Sequence, residues 1–284
     1  MTDSGNGETG APLGDSTNGN VIDIRTWAQE TSRRRHPSTW IADSPPPAIT
    51  DHSPDALWRA DFEIHANQHA EVTTSGMWVL APVVEAALRR SLPVFQLGEA
   101  GAGFHLLNSA RGVASDDLVC ALRLFVLEEQ EHARIHALIC SSLDIEMLED
   151  HWSDRVFRAA RRIRGFRAEI LLMSVADLIT AEVYETLAGG VGDPTLSRLF
   201  ARMHGDELRH LEFQASVLPP HLHRIPGPLL QLTGLAWTAI ARVAIIGVAV
   251  EHRSLFRACG VSSRSFARSA FGAARAHGAR LFVT

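Results

Sequence analysis

The chain has 284 residues and a mass of 31.0 kDa, with 46% hydrophobic and 21% charged residues. This composition is typical of a globular protein with a sizeable core, and the net charge of −5 argues against a nucleic-acid-binding protein. The three cysteines, Cys120, Cys140 and Cys259, are widely spaced and suggest no disulfide framework. This favours a reducing compartment, so we expect a cytoplasmic protein.

The first 53 residues predict a disordered N-terminal tail. They are rich in Gly, Ser, Thr, Asn, Asp and Pro, show no helical or strand period, and contain no apolar stretch typical of a signal peptide. Residues 21–27 and 40–41 are short apolar islands within this tail. From Pro54 onward Ala, Leu, Arg and Glu are frequent and strand-like alternation is absent, so we expect an all-α protein.

The helical part divides into three predicted segments. N-terminal helices are expected over 54–92, and C-terminal helices over 219–284. Between them, four longer helices are predicted at 93–111, 117–141, 166–188 and 194–218. Loops rich in helix breakers separate the members of each pair, and residues 142–165 form a long, partly helical crossover.

The C-terminal segment contains one very apolar stretch, 229–250, which is long enough to span a bilayer. Arg242 near its middle and three other polar residues argue against a membrane span, so we expect a fifth, buried helix packed on the others. The following residues, 252–284, carry six arginines. This pattern predicts a solvated amphipathic helix; binding to a partner or to an anionic lipid surface is the alternative.

Two Glu-x-x-His motifs, Glu129–His132 and Glu207–His210, are the candidates for metal chemistry. On a helix, positions i and i+3 project to the same side, so each motif offers a carboxylate and an imidazole to one metal ion. About one such pair arises by chance in a chain of this composition, so a single motif would be a weak signal. Whether the two motifs form a metal site therefore depends on the residues at the surrounding positions.

A further acid lies thirty residues before the glutamate of each motif: Glu99 before Glu129, and Asp177 before Glu207. The midpoint of each pair falls in a predicted breaker loop. Folding each pair of helices into an antiparallel hairpin therefore brings its two acids to the same height. All these positions repeat at an offset of 78 residues, which indicates the internal duplication of a helical hairpin.

Together these residues predict a site for two divalent ions. Four carboxylates buried without a cation would cost several kcal/mol each, whereas two ions with a total charge of +4 balance them. Carboxylate and imidazole ligands suit two Fe ions, with Mn as the alternative.

Five neighbouring residues are expected around the site rather than on the metals: Glu128, Asp206, Tyr184, His136 and His204. Glu128 directly precedes one motif and Asp206 directly precedes the other. Each acid can accept a hydrogen bond from the ring of the histidine in the opposite motif and so fix its tautomer. The alternative is that both are surface charges.

The strings Leu97–Glu99, Glu128–Ala133 and Asp206–His210 resemble those of the ferritin-like di-metal carboxylate superfamily, in particular uncharacterised ferritin-like domain proteins. This superfamily includes bacterioferritin, rubrerythrin and di-iron oxygenases. The resemblance covers about residues 93–218. It implies a four-helix bundle with one long crossover and a di-iron centre, but it does not fix the reaction. From this resemblance we expect Glu99 and His132 on one ion, Asp177 and His210 on the other, and Glu129 and Glu207 as bridges.

The chain departs from the family pattern on helix three, where Glu is usual and this sequence offers Asp177. Glu182 is the alternative, but it lies five residues later, about 140° around the helix, and breaks the 78-residue repeat. The related p-aminobenzoate N-oxygenases have an additional histidine four residues before the last Glu. Met203 occupies that position here, and His204 follows it.

On this interpretation the chain is a di-iron oxidase or oxygenase that uses O₂ and a small-molecule substrate. The sequence identifies neither the substrate nor a separate catalytic residue. An external electron donor and a homodimer are compatible with it. The helices outside 93–218 favour an enzyme with a walled pocket over a minimal ferritin subunit. The alternatives are a ferritin-type iron-oxidising protein and a metal-free helical interaction protein.

Overall fold

The computed structural model describes residues 53–68, 78–101, 103–151 and 165–282, and every regular element in these ranges is an α-helix. The predicted all-α class is confirmed. Contacts divide the chain into residues 1–46 and 47–284, and all described residues belong to the second unit. Up to residue 52, the expected disordered tail lies outside the described residues.

Ten helices lie in the described ranges: α1 (Pro54–Gln68), α2 (Pro82–Glu99), α3 (Phe104–Ala110), α4 (Asp116–Ser142), α5 (Phe166–Gly190), α6 (Pro194–Val217), α7 (Pro219–Leu222), α8 (Gly227–Glu251), α9 (Arg253–Ala258) and α10 (Ser263–Phe282). The bounds of α4, α5 and α6 agree with their predicted helices to within two residues. Side-chain caps fix two of these starts. Ser115 accepts a hydrogen bond from the Leu118 N–H at α4, and Asp193 accepts one from the Leu196 N–H at α6.

The predicted helix over 93–111 is wrong in its start and in its continuity, although its predicted end agrees with that of α3 to within one residue. Helix α2 runs through Pro93 and ends at Glu99, because one proline removes a single backbone hydrogen bond without ending the helix here. Gly103 then has a φ of +60°, and a Cβ at this position would lie 2.5 Å from the Val126 side chain. The chain therefore breaks at a glycine before α3. The expected domain boundary at 92/93 falls inside α2, so it does not separate two parts of the fold.

The long helices pack against one another along much of their length. Helix α4 packs against α1 and α2, α5 packs against α6, and α4 also meets α6. Large side chains including Phe125, Tyr184 and Phe200 are fully buried there. Helix α9 covers α2, while α8 and α10 cover α5. The predicted metal ligands lie on α2, α4, α5 and α6.

Helix α8 does not match the expectation of a buried helix. Trp237, Ala241, Ile245 and Ala249 are buried on its inner face, where the Trp237 indole donates to the Leu171 carbonyl of α5. Seven large apolar side chains on its outer face are 41–72% exposed: Leu229, Leu232, Leu235, Ile240, Val243, Ile246 and Val250. Among the described helices, only α8 is long and apolar enough to cross a membrane, and 22% of its most apolar window is buried. The expectation is wrong for the outer face, because no described helix packs over it.

Candidate metal centre

Six acidic and histidine side chains converge between α2, α4, α5 and α6. Each is at most 8% exposed: Glu99 at the end of α2, Glu129 and His132 on α4, Asp177 on α5, and Glu207 and His210 on α6. The placement follows from the helix bounds, because the 116–142 and 194–217 helices each carry one Glu-x-x-His motif on the buried side. All six residues that the sequence selected are therefore in one place.

The six side chains form two overlapping groups of potential ligands. One group contains Glu99, Glu129, His132 and Glu207, and the other contains Glu129, Asp177, Glu207 and His210. Within each group the candidate ligand atoms all lie within 4.8 Å of one another. Glu129 and Glu207 belong to both groups, which is the arrangement expected of bridging carboxylates. The role of these residues as metal ligands stays a prediction.

The structure brings Asp177, and not Glu182, to this cluster. The Asp177 Oδ2 atom accepts a hydrogen bond of 2.5 Å from the Gln214 amide. The Glu182 side chain instead has a hydrogen bond with Ser269, outside both ligand groups. The geometry therefore agrees with the 78-residue repeat.

We expect Asp177→Asn to lower the metal content by about one ion per chain, because a neutral amide replaces the only carboxylate unique to the second group. Glu182→Gln is the matched control on the same helix and should leave the metal content unchanged. Both are measured by elemental analysis of the full-length protein after metal loading and desalting. If Glu182→Gln lost metal while Asp177→Asn kept the full metal content, Glu182 rather than Asp177 would be the ligand on α5.

Each histidine is held by an acid from the opposite motif. His210 Nε2 lies 2.9 Å from Glu128 Oε2, and His132 Nε2 lies 3.2 Å from Asp206 Oδ2. This hydrogen-bond geometry is the crossed pairing expected from the sequence, and both acids are buried rather than on the surface. With Nε2 engaged, the Nδ1 atom of each ring faces the cluster, where a neutral imidazole would present its lone pair.

Several atoms that face the centre of the cluster are paired only with one another. Within the described residues, Glu129 Oε1, both carboxylate oxygens of Glu207, and Nδ1 of His132 and His210 have no hydrogen-bond partner outside the cluster. His132 Nδ1 lies 3.1 Å from Glu207 Oε1, and His210 Nδ1 lies 2.7 Å from Glu129 Oε1. Such atoms converging on one point therefore fit a bound cation. The donor set has four carboxylates, two imidazoles and no thiolate, which suits Fe or Mn.

In the metal-free chain, protonation offsets the negative charge of the carboxylates. Burial, followed by repulsion from Glu129 and Glu207, raises the pKa of Glu99 well above its ordinary value. The same causes, in the same order, raise the pKa of Asp177. These two carboxyl groups therefore retain their protons at a higher pH than in an unfolded chain.

The two histidines also retain protons, and in their case the proton makes the side chain positively charged. Burial lowers the pKa of His132, but hydrogen bonds to Asp206 and Glu207 outweigh burial and raise it to about 10. For His210, the attraction of Glu129 and the hydrogen bond to Glu128 likewise outweigh burial and raise the pKa. Without a metal, imidazolium groups stand where divalent cations would otherwise supply positive charge. Metal binding must therefore displace protons.

Tyr184 and His136 form a buried hydrogen-bonded chain that ends at Glu99. The Tyr184 hydroxyl donates to Glu99 Oε1 over 3.0 Å, and His136 Nε2 lies 2.9 Å from the same hydroxyl. Burial and the neighbouring His132 lower the pKa of His136 to about 3, so its ring is neutral. A neutral ring can donate Nε2–H to the tyrosine oxygen, which orients Glu99. His204 lies outside both groups, with Nδ1 2.9 Å from the Ala181 carbonyl.

Sequence reasoning missed three residues that hold the site together. The Arg209 guanidinium lies 2.5 Å from Glu128 Oε2, and His65 Nε2 lies 2.8 Å from Asp206 Oδ1. Gln214, the third, is the donor to Asp177 described above. Gln214 follows Glu207 by seven residues on the same helix face, and Arg209 lies inside the second Glu-x-x-His motif. The sequence spacing could therefore have assigned both residues to the site. His65 carried none, because its partner is 141 residues away in the chain.

A cavity of about 190 Å³ reaches the cluster at Glu99 and Glu129. Its wall also includes Val126, Glu169 and Met173, and the glycines of the break between α2 and α3 border it. The cavity thus provides a path for small molecules to the two carboxylates.

Comparison with known proteins identifies no relative: the chain matches no protein-family model, no curated protein and no solved structure. The chemistry of this site is therefore argued from its donor geometry.

We expect Glu128→Gln and Asp206→Asn each to weaken metal binding by about 10- to 100-fold, because each removes the acid that fixes the tautomer of one histidine. The measurement is a competition titration against a chelator of known affinity. Glu131→Gln is the control, since Glu131 lies on the same helix and pairs with Arg134 instead. Unchanged affinities in both variants would show that the crossed hydrogen bonds do not tune the site.

Proposed function

We propose that the protein is a di-metal oxidoreductase that activates O₂ at two Fe ions, or at a Mn/Fe pair, held between α2, α4, α5 and α6. In this proposal the four helices form a ferritin-like bundle, with the 143–165 segment as the long crossover. The observation that supports it most is that Glu129 and Glu207 belong to both ligand groups. Two cations that share carboxylates lie close enough together to act on one O₂ molecule.

The chemistry divides between the bound ions and the chain. When bound, the ions would supply electrons to O₂. The substrate or an external donor would then return these electrons to the ions. The side chains bind the ions, and buried aromatic residues such as Phe125 and Phe200 exclude water. His136 and Tyr184 form a hydrogen-bonded chain that orients Glu99 through its Oε1 atom. These are the parts that an O₂-activating site requires from its protein.

The cavity limits the second substrate to a small molecule. Its 190 Å³ is below the roughly 300–1,000 Å³ typical of pockets for drug-sized ligands. Leu106, Val126 and Met173 provide apolar surface, and Glu169 adds a buried carboxyl group. A small, partly apolar substrate fits this wall best.

The same cavity also supports a second candidate function, that of a ferritin-type iron-oxidising protein. Glu99, Glu129 and Glu169 line it, and a carboxylate-lined path attracts Fe²⁺ as well as organic molecules. A large hollow oligomer in light scattering would favour this function, whereas a monomer or dimer favours the enzyme. If the protein binds no metal after iron loading, both fail and a metal-free interaction protein remains.

We expect Glu129→Ala to abolish O₂ consumption by the reduced, iron-loaded protein, because Glu129 belongs to both ligand groups and borders the cavity. Glu131→Ala, two residues further along α4, should consume O₂ at the wild-type rate. The measurement is an oxygen electrode trace after anaerobic loading with Fe²⁺. Unchanged consumption by Glu129→Ala would rule out this role.

A further inference from the structure

The C-terminal quarter of the chain has a charge opposite to that of the rest. Residues 213–284 contain eight arginines, no lysine and one acidic residue, Glu251, which gives a net charge of +7. The preceding 212 residues contain nineteen arginines and thirty-one acidic residues, a net charge of −12. Such an asymmetry indicates that the C-terminal part meets an anionic surface.

The same part of the chain carries the exposed apolar face of α8. The outward positions 229, 232, 236, 239, 243, 246 and 250 are all Leu, Ala, Val or Ile, and they continue along the whole helix. At about 1.5 Å per residue, this face is more than 30 Å long. An unbroken apolar strip of this length is unusual on the surface of a soluble monomer and indicates an interaction site.

Arginines lie directly beside this strip. A groove of about 1,290 Å³ runs between α8 and α10, lined among others by Leu235, Phe271 and Phe282 together with Arg242 and Arg275. No residue of the metal cluster lines this groove. The surface thus combines long apolar side chains with guanidinium groups at its edge, the composition of helices that lie in a lipid–water interface.

Two other occupants fit this surface less well. A second copy of the chain would bring together two regions that each carry excess positive charge. A membrane-spanning orientation is opposed by the inner face of α8, where Trp237, Ala241 and Ile245 are buried against protein. Arg242, exposed at mid-helix, would also lie in the hydrocarbon core.

We propose that α8 and the adjoining arginines dock the protein on the surface of an anionic lipid membrane. The helix lies in the plane of the interface with its outer face in the acyl boundary, and the arginines contact lipid phosphates. The metal cluster is not part of this surface, so the inference is independent of the proposed function.

The test is co-sedimentation of the full-length protein with vesicles. We expect binding to phosphatidylcholine vesicles that contain phosphatidylglycerol, and little binding to phosphatidylcholine alone. Val243→Ser/Ile246→Ser should weaken binding more than tenfold, because it removes two apolar side chains from the strip. Val83→Ser/Val113→Ser is the matched control, since both of these valines are exposed and neither belongs to α8. Circular dichroism verifies that each variant is folded.

Arg242→Gln/Arg275→Gln tests the charge separately. Each arginine near an anionic surface contributes about a fivefold change in binding, so the double variant should bind phosphatidylglycerol vesicles at least tenfold more weakly. The proposal is overturned if the wild-type protein binds neither kind of vesicle or binds both equally. It is also overturned if light scattering shows a dimer that Val243→Ser/Ile246→Ser dissociates while vesicles are not bound.

Discussion

Glu207→Gln is expected to remove both metal ions from the protein. The two carboxylate oxygens of Glu207 face different histidines: Oε1 lies 3.1 Å from His132 Nδ1, and Oε2 lies 3.6 Å from His210 Nδ1. A glutamine has the same shape but removes one negative charge and one anionic oxygen from both groups. Neither cation then has the charge balance that its burial requires.

The effect should be visible in stability as well as in metal content. A ligand present at 1,000 times its dissociation constant stabilises the folded state by about 4 kcal/mol per site. For a chain of this size, that should raise the melting temperature of the wild-type protein by roughly 8 °C or more. The Glu207→Gln variant should show almost no metal-dependent rise.

The control for this experiment is Glu212→Gln. Glu212 lies on the same helix five residues later, and its side chain is 63% exposed. It should bind the same metal content as the wild-type protein and show the same thermal shift. If Glu207→Gln retained both ions, Glu207 would not be shared between them, and the di-metal interpretation would lose its main support.

Much of this site could be predicted because its ligands lie on regular helices. The i, i+3 spacing of each motif and the 78-residue repeat depend only on helix geometry and hairpin symmetry. They selected Glu99 and Asp177, which the structure brings to the cluster. The crossed pairing of Glu128 with His210 follows from the same symmetry. Helical periodicity is therefore sufficient to predict candidate ligands when these residues lie on long helices.

Two features could not be predicted, for different physical reasons. The break between α2 and α3 depends on the contact of Gly103 with Val126, which is a tertiary packing constraint. The outer face of α8 is exposed because no described helix packs on it, and the sequence of α8 does not determine this. An apolar helix has the same sequence pattern whether protein, lipid or a partner covers it.

Between pH 7 and pH 8.5 we expect the metal-free protein to become less stable as the pH rises. An unfolded histidine, with a pKa near 6.5, is mostly deprotonated across this range, whereas His132 in the folded chain has a pKa of about 10. The folded state thus binds more protons, and its stabilisation is lost as the pH rises. The free energy of unfolding falls by up to about 1.4 kcal/mol per pH unit for each such group.

The other shifted groups either add to this slope or act outside the range. The raised pKa values of His210, Glu99 and Asp177 give the same sign. Burial lowers the pKa of His136, His252 and His277, but these rings are neutral in both states above pH 7 and oppose folding only in more acid solution. Burial raises the pKa of the Cys140 and Cys259 thiols, which gives the same sign and begins at the upper end of this range, where an unfolded thiol starts to ionise.

The measurement is urea unfolding at several pH values in this range, with a chelator present. His132→Gln should reduce the slope, whereas His223→Gln, at an exposed position, should preserve it. Bound metal replaces the protons. Metal affinity should therefore increase with pH, because fewer protons remain to be displaced by each ion. A metal-free protein whose stability is constant or rises over this range would contradict the argument. The imidazoles would then not carry the positive charge in place of the metal ions.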